Sequence, residues 1–150
     1  MLVGMGNLYD YFAAENDRTA AATLADSPDP ELFELLDAKG IDPYIELATL
    51  EALLREVPYE QVENDPRHSM LLSDPEDDSR WVVTLTDTLR DALAEATTER
   101  LAQVAVPWSR TEEFRGRGDA DLLADFLGRF ANLARHARER RHHLYCWMSL

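Results

Sequence analysis

The chain has 150 residues, of which 45% are hydrophobic, and this size and richness are typical of one globular domain that buries most of its apolar surface. Its 29 acidic and 15 basic residues give a net charge of −14, which argues against binding to nucleic acid or to an anionic membrane unless the cations are segregated. Residues 101–150 contain 8 basic and 6 acidic residues, so even the most basic third is too weakly charged for a nucleic-acid interface.

Cysteine and lysine usage indicates where the protein works. One cysteine excludes an internal disulfide and a cysteine-rich zinc site, and it fits a reducing cytoplasm. The opening MLVGMGNLYDYF lacks a leading cation and is interrupted by glycines, so it resembles neither a signal peptide nor a membrane span. Lys39 is the only lysine, and together with the many alanines this indicates a GC-rich bacterial genome. We therefore expect a cytoplasmic bacterial protein.

The first part of the chain contains one predicted strand and two short predicted elements. Residues 5–12 are rich in aromatics and alternate with a period of two, which predicts a strand. Asn16 or Asp17 can cap a short helix that runs to about Ala25 and is closed by the turn sequence SPDP. The Asp-Pro pair of that turn then favours another short helix over residues 30–38, although this stretch also fits an extended strand.

The segment GIDPYIELATLEALLREVP at 40–58 predicts an amphipathic helix with Pro43 at its first position. Apolar residues recur at spacings of three and four, as in a stripe that packs on a core. They are Leu47, Leu50, Leu53, Leu54 and Val57. The charged residues expected away from the core are Glu46, Glu51, Arg55 and Glu56.

A hairpin is predicted in the middle of the chain. SMLLS at 69–73 and RWVVTLT at 80–86 have the composition of strands. The link between them, DPEDDS, is rich in turn residues and acids, so we expect it to form a solvated tip.

Three helices and a last strand are predicted in the remainder. Thr86 or Asp87 starts the first helix, Thr98 starts a shorter one, and VPWSRTEEFRGRG at 106–118 follows as an irregular loop. Asp119 caps the longest helix, whose broad apolar stripe must be buried. The ending HLYCWMSL is a period-two strand with apolar residues on both faces, which indicates a central position in the sheet.

The order of these elements predicts an α+β fold in a single domain over residues 1–150. A small, mainly antiparallel sheet is expected from the N-terminal strand, the central hairpin and the C-terminal strand, packed with several helices. The chain has no internal repeat and no interdomain linker. Strand order and oligomeric state are left open by the sequence.

The C-terminal run RERRHHLYCWMSL holds many reactive residue types, and each has a structural explanation. The arginines at 135–141 end a helix that starts with aspartates, an arrangement that the helix dipole favours by about 0.3–1 kcal/mol per charge. His142 and His143 point to opposite faces of a strand and cannot easily hold one metal together. Cys146 lies between aromatics in an apolar strand and is interpreted as a buried hydrophobe. The sequence predicts no metal site, no cofactor and no catalytic motif.

The stretch PWSRTEEF at 107–114 is the best place for a ligand. Trp108 and Phe114 either anchor this loop on the core or form a recognition surface, and a pocket beside them would suit a small molecule. Adjacent carboxylates are not an acid and base pair by themselves, because such work needs two groups that converge from different elements. The candidate ligand-binding residues are Tyr9, Asp10, Lys39, Asp42, Trp108, Glu112 and Glu113.

Four segments resemble a known family, the YfbM-like group of uncharacterised bacterial proteins. They are GNLYDYFAA, the stretch from LDAKGIDP through LEALLRE, VVTLTDTLRDALAEA, and DLLADFLGRFANLARHARERRHHLYCWMSL. In the segments GIDP and VPWSRTEEF the chain more closely resembles an actinobacterial subgroup of that family. The resemblance implies a cytoplasmic α+β fold that begins at Met5, with residues 1–4 as an N-terminal extension. It supplies no catalytic residue, and the chain departs from the group by being shorter around SPDPELFELL.

Three classes of function are compatible with these patterns, and we expect the first. It is a non-enzymatic interaction or regulatory domain whose acidic face binds a basic protein partner, such as an immunity-type inhibitor of a basic toxin. The second is a small enzyme or small-molecule-binding protein with a pocket near the 108–114 loop. The third is a mimic of nucleic-acid charge or a component of an assembly. The expected acidic face comprises Glu60, Glu63, Asp65, Asp74, Glu76, Asp77 and Asp78.

Overall fold

The computed structural model describes residues 8–24, 27–38, 40–74, 76, 79–111 and 119–149. This part of the chain forms four strands and six helices, which confirms the predicted α+β class. The strands are β1 (Leu8–Ala14), β2 (Leu35–Asp37), β3 (Arg80–Thr84) and β4 (His143–Ser149). The helices are α1 (Asp17–Ala21), α2 (Glu46–Arg55), α3 (Tyr59–Glu63), α4 (Asp87–Glu95), α5 (Thr98–Ser109) and α6 (Ala120–Glu139).

The strands form one antiparallel sheet in the order β2-β1-β4-β3. β1 pairs with β4 along its whole length, from Leu8 opposite Ser149 to Ala14 opposite His143. β3 pairs with the other side of β4, and β2 adds a short edge beside β1. The last strand is therefore central, as its two apolar faces predicted.

The helices cover one face of the sheet and build the main core. Cys146 and Met148 of β4 and Tyr11 of β1 point into it. α6 packs against α4 and α5 and buries its apolar stripe, as predicted, with Phe126 and Phe130 packed one turn apart at a ring distance of 5.5 Å. The buried free thiol of Cys146 matches its interpretation as a small hydrophobe.

The opposite face of the sheet carries a thinner layer. Phe12 of β1, with Tyr145 and Trp147 of β4, packs under α1 and the chain that follows it. α1 has only five residues, but the apolar side chains beneath it are buried, Phe12 and Tyr145 fully. The layer is exposed at its edges, where Leu8 is 50% and the Asp17 side chain 40% exposed.

The predicted helix starts are confirmed where a side chain caps them. Asn16 accepts from the Thr19 N–H at α1, and Thr86 accepts from the Leu89 N–H at α4. Asp119 accepts from the first N–H groups of α6. Each cap satisfies a backbone donor that has no partner inside its helix.

The predicted hairpin is only partly formed. Residues 69–73 are not a strand and meet β3 through an isolated bridge between Leu71 and Val83. The Leu72 N–H donates to Val82 O, but the Val82 N–H donates to the Ser73 hydroxyl at 3.3 Å. A side chain thus takes the place of the backbone acceptor, and the ladder ends there.

Residues 30–38 are extended at their end rather than helical. A turn over residues 30–33 follows Asp29, whose carboxylate accepts from the Glu31 N–H at 2.9 Å. The chain then pairs with β1 as β2. This pairing decides between the two alternatives that the sequence left open. α1 also ends earlier than predicted, at Ala21.

Three helix assignments also differ from the predictions. α2 begins at Glu46 rather than at Pro43, because the Asp42 carboxylate accepts from two N–H groups and closes residues 43–45 into a turn. α5 continues through Pro107 to Ser109, so the predicted 106–118 loop starts in helix. The five-residue helix α3 was not predicted, since it is too short for a helical period to show.

Two glutamates that were expected away from the core are buried, since Glu46 is 6% and Glu51 is 1% exposed. The Glu51 carboxylate accepts hydrogen bonds from the hydroxyls of Thr86 and Thr88 and from the guanidinium of Arg55. Because Thr86 also caps α4, this carboxylate joins α2 to the start of α4. A helical period alone does not reveal such partners.

We predict that Glu51→Ala lowers the free energy of unfolding by about 3 kcal/mol, because it leaves two hydroxyls and a guanidinium without their acceptor. The measurement is urea denaturation followed by circular dichroism. The control is Glu139→Ala, which removes an exposed carboxylate at the end of α6 and is expected to change stability by less than about 0.5 kcal/mol. Equal effects of the two substitutions would contradict the role assigned to Glu51.

Candidate functional site

The structure places the Trp108 side chain in the core. This side chain lies in the last turn of α5 rather than in a loop and is 0% exposed. Its indole N–H donates to the backbone oxygen of Glu46 at 3.0 Å, and its ring stacks near Phe126. Trp108 therefore anchors α5 on α2 and α6, and it is not available to a ligand from solvent.

Two other candidates, Tyr9 and Asp42, both lie within electrostatic reach of Tyr44. Burial is the main cause that raises the pKa of Tyr44, and Cys146, Tyr9 and Asp42 raise it further through their charges. Asp42 is occupied by the turn before α2. This group is part of the margin of the main core.

Of the remaining candidates, the structure describes only Asp10. Asp10 points to the opposite face of the sheet from Tyr9, because neighbours in a strand alternate. Partial burial, followed by the nearby Asp37, raises the pKa of Asp10. Lys39, Glu112 and Glu113 lie outside the residues that the structure describes.

A polar cavity of about 620 Å³ lies on the thin side of the sheet. Its walls come from three separate parts of the chain, the start of α1, the segment between α3 and β3, and the first residue of β4. The lining residues are Asn16, Asp17, Arg18, Thr19, Arg67 and His143. We call this feature the polar cavity.

A network of three side chains forms one wall of the polar cavity. The Arg67 guanidinium donates to both carboxylate oxygens of Asp17, at 3.0 and 3.2 Å, and the Tyr145 hydroxyl donates to the same carboxylate at 2.7 Å. The Arg67 guanidinium also lies 6.0 Å from the centre of the Tyr145 ring. The three groups come from α1, the segment after α3 and β4, so this network fixes their relative positions.

The ionisation of these groups follows from the network. The hydrogen bond from Arg67 holds the pKa of the Asp17 carboxyl below its usual range. Burial raises the pKa of Tyr145 far above its usual value, and the hydrogen bond to Asp17 adds to this effect. Asp17 therefore stays ionised and Tyr145 stays protonated at neutral pH. The Nε of Arg67 is buried and has no acceptor among the described residues.

A second pair, His143 and Asp87, lies at the polar cavity, which His143 lines. Nδ1 of His143 lies 2.7 Å from Asp87 Oδ1, which leaves Nε2 as the other nitrogen of the ring. Arg90 lies 3.5 Å from the same carboxylate and donates to the backbone oxygen of His142. An imidazole held by a carboxylate in this way can accept or donate a proton at Nε2.

Sequence reasoning missed this site, although one signal was visible. His143 and Tyr145 are two residues apart on a strand, so they must lie on the same face. We used this alternation only to argue that His142 and His143 cannot hold one metal together. Only the tertiary fold brings Asp17, Arg67 and Asp87 to the two β4 side chains. No spacing in the sequence predicts these contacts.

Some arginines at the end of α6 contact other parts of the fold and are not simply solvated. Arg135 donates to the backbone oxygens of Ala94 and Ala96 at the end of α4, at 3.1 and 3.0 Å. Arg138 pairs with Glu95 at 3.4 Å. These contacts satisfy carbonyl groups that a helix end leaves without partners. Their role is to join α6 to α4.

Within the described ranges, no three His, Cys, Asp or Glu side chains are grouped so that they could hold a metal ion. Cys146 is fully buried, and this burial raises the pKa of its thiol well above the usual value. No helix in the described part of the chain is long and apolar enough to cross a membrane.

Comparison with known proteins gives no relative for this chain. No family model, no curated protein and no solved structure matches it. The described residues form an α+β fold with a four-stranded antiparallel sheet, and a cavity lined by arginine and histidine side chains lies on the side of the sheet that carries α1.

We predict that Asp17→Asn makes stability less sensitive to acid. A carboxyl whose pKa is lower in the folded chain than in the unfolded chain stabilises the fold above its unfolded pKa, and this contribution is lost as the pH falls through the folded pKa. The Asp17→Asn variant should lose about 1 kcal/mol or less at neutral pH, since Asp17 is partly exposed. Below about pH 4 its stability should approach that of the original chain.

Urea denaturation at a series of pH values measures this effect. The control is Asp125→Asn, which removes an ion pair with Arg129 that is exposed on both sides and is expected to cost less than about 0.5 kcal/mol. If the Asp17→Asn variant keeps the same difference from the original chain at every pH, the Arg67 network does not contribute in the way described.

Proposed function

We propose that the protein is a non-enzymatic interaction or regulatory domain that binds a basic protein partner through an acidic surface. The proposal rests on exposed carboxylates of α3 and of the segment before β3. We define the acidic surface as Glu60, Glu63, Asp74 and Glu76. None of these side chains forms an ion pair with another described residue.

The contrast with other carboxylates supports this proposal. Glu51, Asp17 and Asp87 are held by hydroxyl, guanidinium or imidazole groups of the same chain. Carboxylates of the acidic surface have no such neighbour among the described residues, so they remain available to a cationic partner. Charges of this kind accelerate association and select the partner more than they set the affinity.

Two exposed apolar side chains accompany the acidic surface along the chain. Met70 is 37% exposed and Leu71 is 39% exposed, and both lie between α3 and Asp74 in sequence. Interfaces commonly combine such apolar contacts with a charged rim. Asp65, which was expected in the acidic face, is half-buried and accepts from the Arg67 N–H. Asp77 and Asp78 lie outside the described residues.

The family and location expected from the sequence remain part of this proposal. We propose membership of the YfbM-like group, in its actinobacterial subgroup, on the strength of the matching segments. The long α6 followed directly by the apolar β4 is consistent with the end of that pattern. A cytoplasmic location is supported by the free, buried thiol of Cys146, which needs no oxidising environment.

A second function, small-molecule binding, has support at a different place from the one expected. Trp108 is inaccessible, so the described residues give no reason to place a pocket beside it. The polar cavity, with His143 and Arg67 in its walls, is a better location for a ligand.

The test is affinity purification from the native host with the original chain as bait, at low and at high salt. A partner bound through the acidic surface is expected to be recovered at low salt and largely lost at high salt, because salt screens exposed charges. A bait with Glu60→Gln, Glu63→Gln, Asp74→Asn and Glu76→Gln should lose this partner.

The matched control changes the net charge equally at exposed positions elsewhere. It carries Glu31→Gln, Glu99→Gln, Asp121→Asn and Glu139→Gln. This bait should retain the partner. A partner recovered equally at both salt concentrations, or lost equally from both baits, would contradict the acidic surface as the binding site.

A further inference from the structure

We propose that the polar cavity is a binding site for a small tetrahedral oxyanion, either inorganic phosphate or the phosphoryl group of a small metabolite. This site shares no lining residue with the acidic surface, and the proposal does not depend on the partner of that surface.

The charge of the cavity is the first argument. The chain as a whole carries a net charge of −14, yet the cavity lining contains two arginines and a histidine against one aspartate. That aspartate, Asp17, is already neutralised by Arg67 and accepts a further hydrogen bond from Tyr145. Arg18 forms no ion pair with any described residue and is exposed. Asp87, which holds His143, is also paired with Arg90, so Arg18 is the cation of the lining that remains available to an anion.

The directions of the donors are the second argument. Arg18 comes from α1, Arg67 from the segment between α3 and β3, and His143 from the start of β4. Because Asp17 occupies the Arg67 fork, the donors left for a ligand are Arg18 and His143, which approach from separate elements and suit an anion whose oxygens point in several directions. A planar carboxylate would be matched by one guanidinium fork, and the Arg67 fork is already used by Asp17.

The histidine adds a group that can bind such an anion in more than one protonation state. Asp87 holds the ring through Nδ1. Nε2 donates when the ring is protonated and accepts when it is neutral. A phosphoryl group carries both bare oxygens and, when singly protonated, a hydroxyl, so it can complement either form of His143.

The size of the cavity points to a metabolite as well as to the free ion. Its volume of about 620 Å³ lies within the range of roughly 300–1,000 Å³ in which small-molecule pockets usually fall. A single phosphate would leave much of this space to solvent. The remainder has room for the organic part of a phosphate monoester, beside Asn16 and Thr19.

Titration of the ¹⁵N-labelled chain, followed by amide chemical shifts, tests the proposal with three probes at constant ionic strength. These are inorganic phosphate, glycerol phosphate and acetate. Phosphate or glycerol phosphate is expected to give saturable shifts centred on residues 16–19, 67 and 143. Tighter binding of glycerol phosphate would identify a metabolite, and tighter binding of phosphate would identify the free ion.

Variants of the cavity decide whether the shifts report this site. Arg18→Gln and His143→Gln are each expected to weaken binding about tenfold, as for the loss of a charge-assisted hydrogen bond. Arg18 is exposed, so its substitution should leave the fold intact even if the change at His143 disturbs it. The control Arg129→Gln alters an exposed arginine of α6 that lies outside the cavity and should leave binding unchanged.

Three outcomes would overturn the proposal. The first is the absence of saturable shifts with both phosphate probes at millimolar concentration. The second is unchanged binding in Arg18→Gln, which would place the anion elsewhere. The third is acetate binding as tightly as phosphate at the same residues, which would refute the assignment to a tetrahedral anion.

Discussion

The whole structure depends on the burial of both faces of β4. This strand lies between β1 and β3 and pairs with β1 over seven residues, so its backbone is held within the sheet from both sides. Leu144 and Cys146 then enter the main core under the helices, whereas Tyr145 and Trp147 enter the smaller core on the other side. The strand cannot slip by one residue without moving both sets of side chains to the wrong face.

The unequal thickness of the two layers explains where the polar groups gather. Long helices close the main core, but the short helix α1 covers only part of the opposite face. At the rim of that face, Tyr145 and His143 extend from β4 toward charged groups on other elements. Asp17 and Arg67 fill the gap between α1 and the sheet with a hydrogen-bonded ion pair instead of apolar packing. Both members of this ion pair line the polar cavity.

Among the carboxylates that the structure describes, three environments recur. Glu51 is buried and joins two helices through hydroxyl and guanidinium donors. Asp17 and Asp87 lie at the margin of the sheet, where each holds a cationic or imidazole side chain in place. Glu60 and Glu63 lie in solvent on α3. The net charge cannot distinguish these environments, because it does not depend on which groups surround each carboxylate.

Local sequence patterns were enough to establish the α+β class, the capped starts of α4 and α6, the buried stripe of α6 and the central place of β4, because periodicity and capping are properties of neighbouring residues. The incomplete pairing of residues 69–73, the end of α5 and the burial of Glu51 were not predicted, because side-chain contacts decide them: the Ser73 hydroxyl that accepts from Val82, the indole of Trp108 against α2, and a threonine at the start of α4. The three-dimensional fold alone brought Arg67 to Asp17, 50 residues apart, and so formed the cavity. Contacts between residues far apart in sequence leave no period that a local pattern can show.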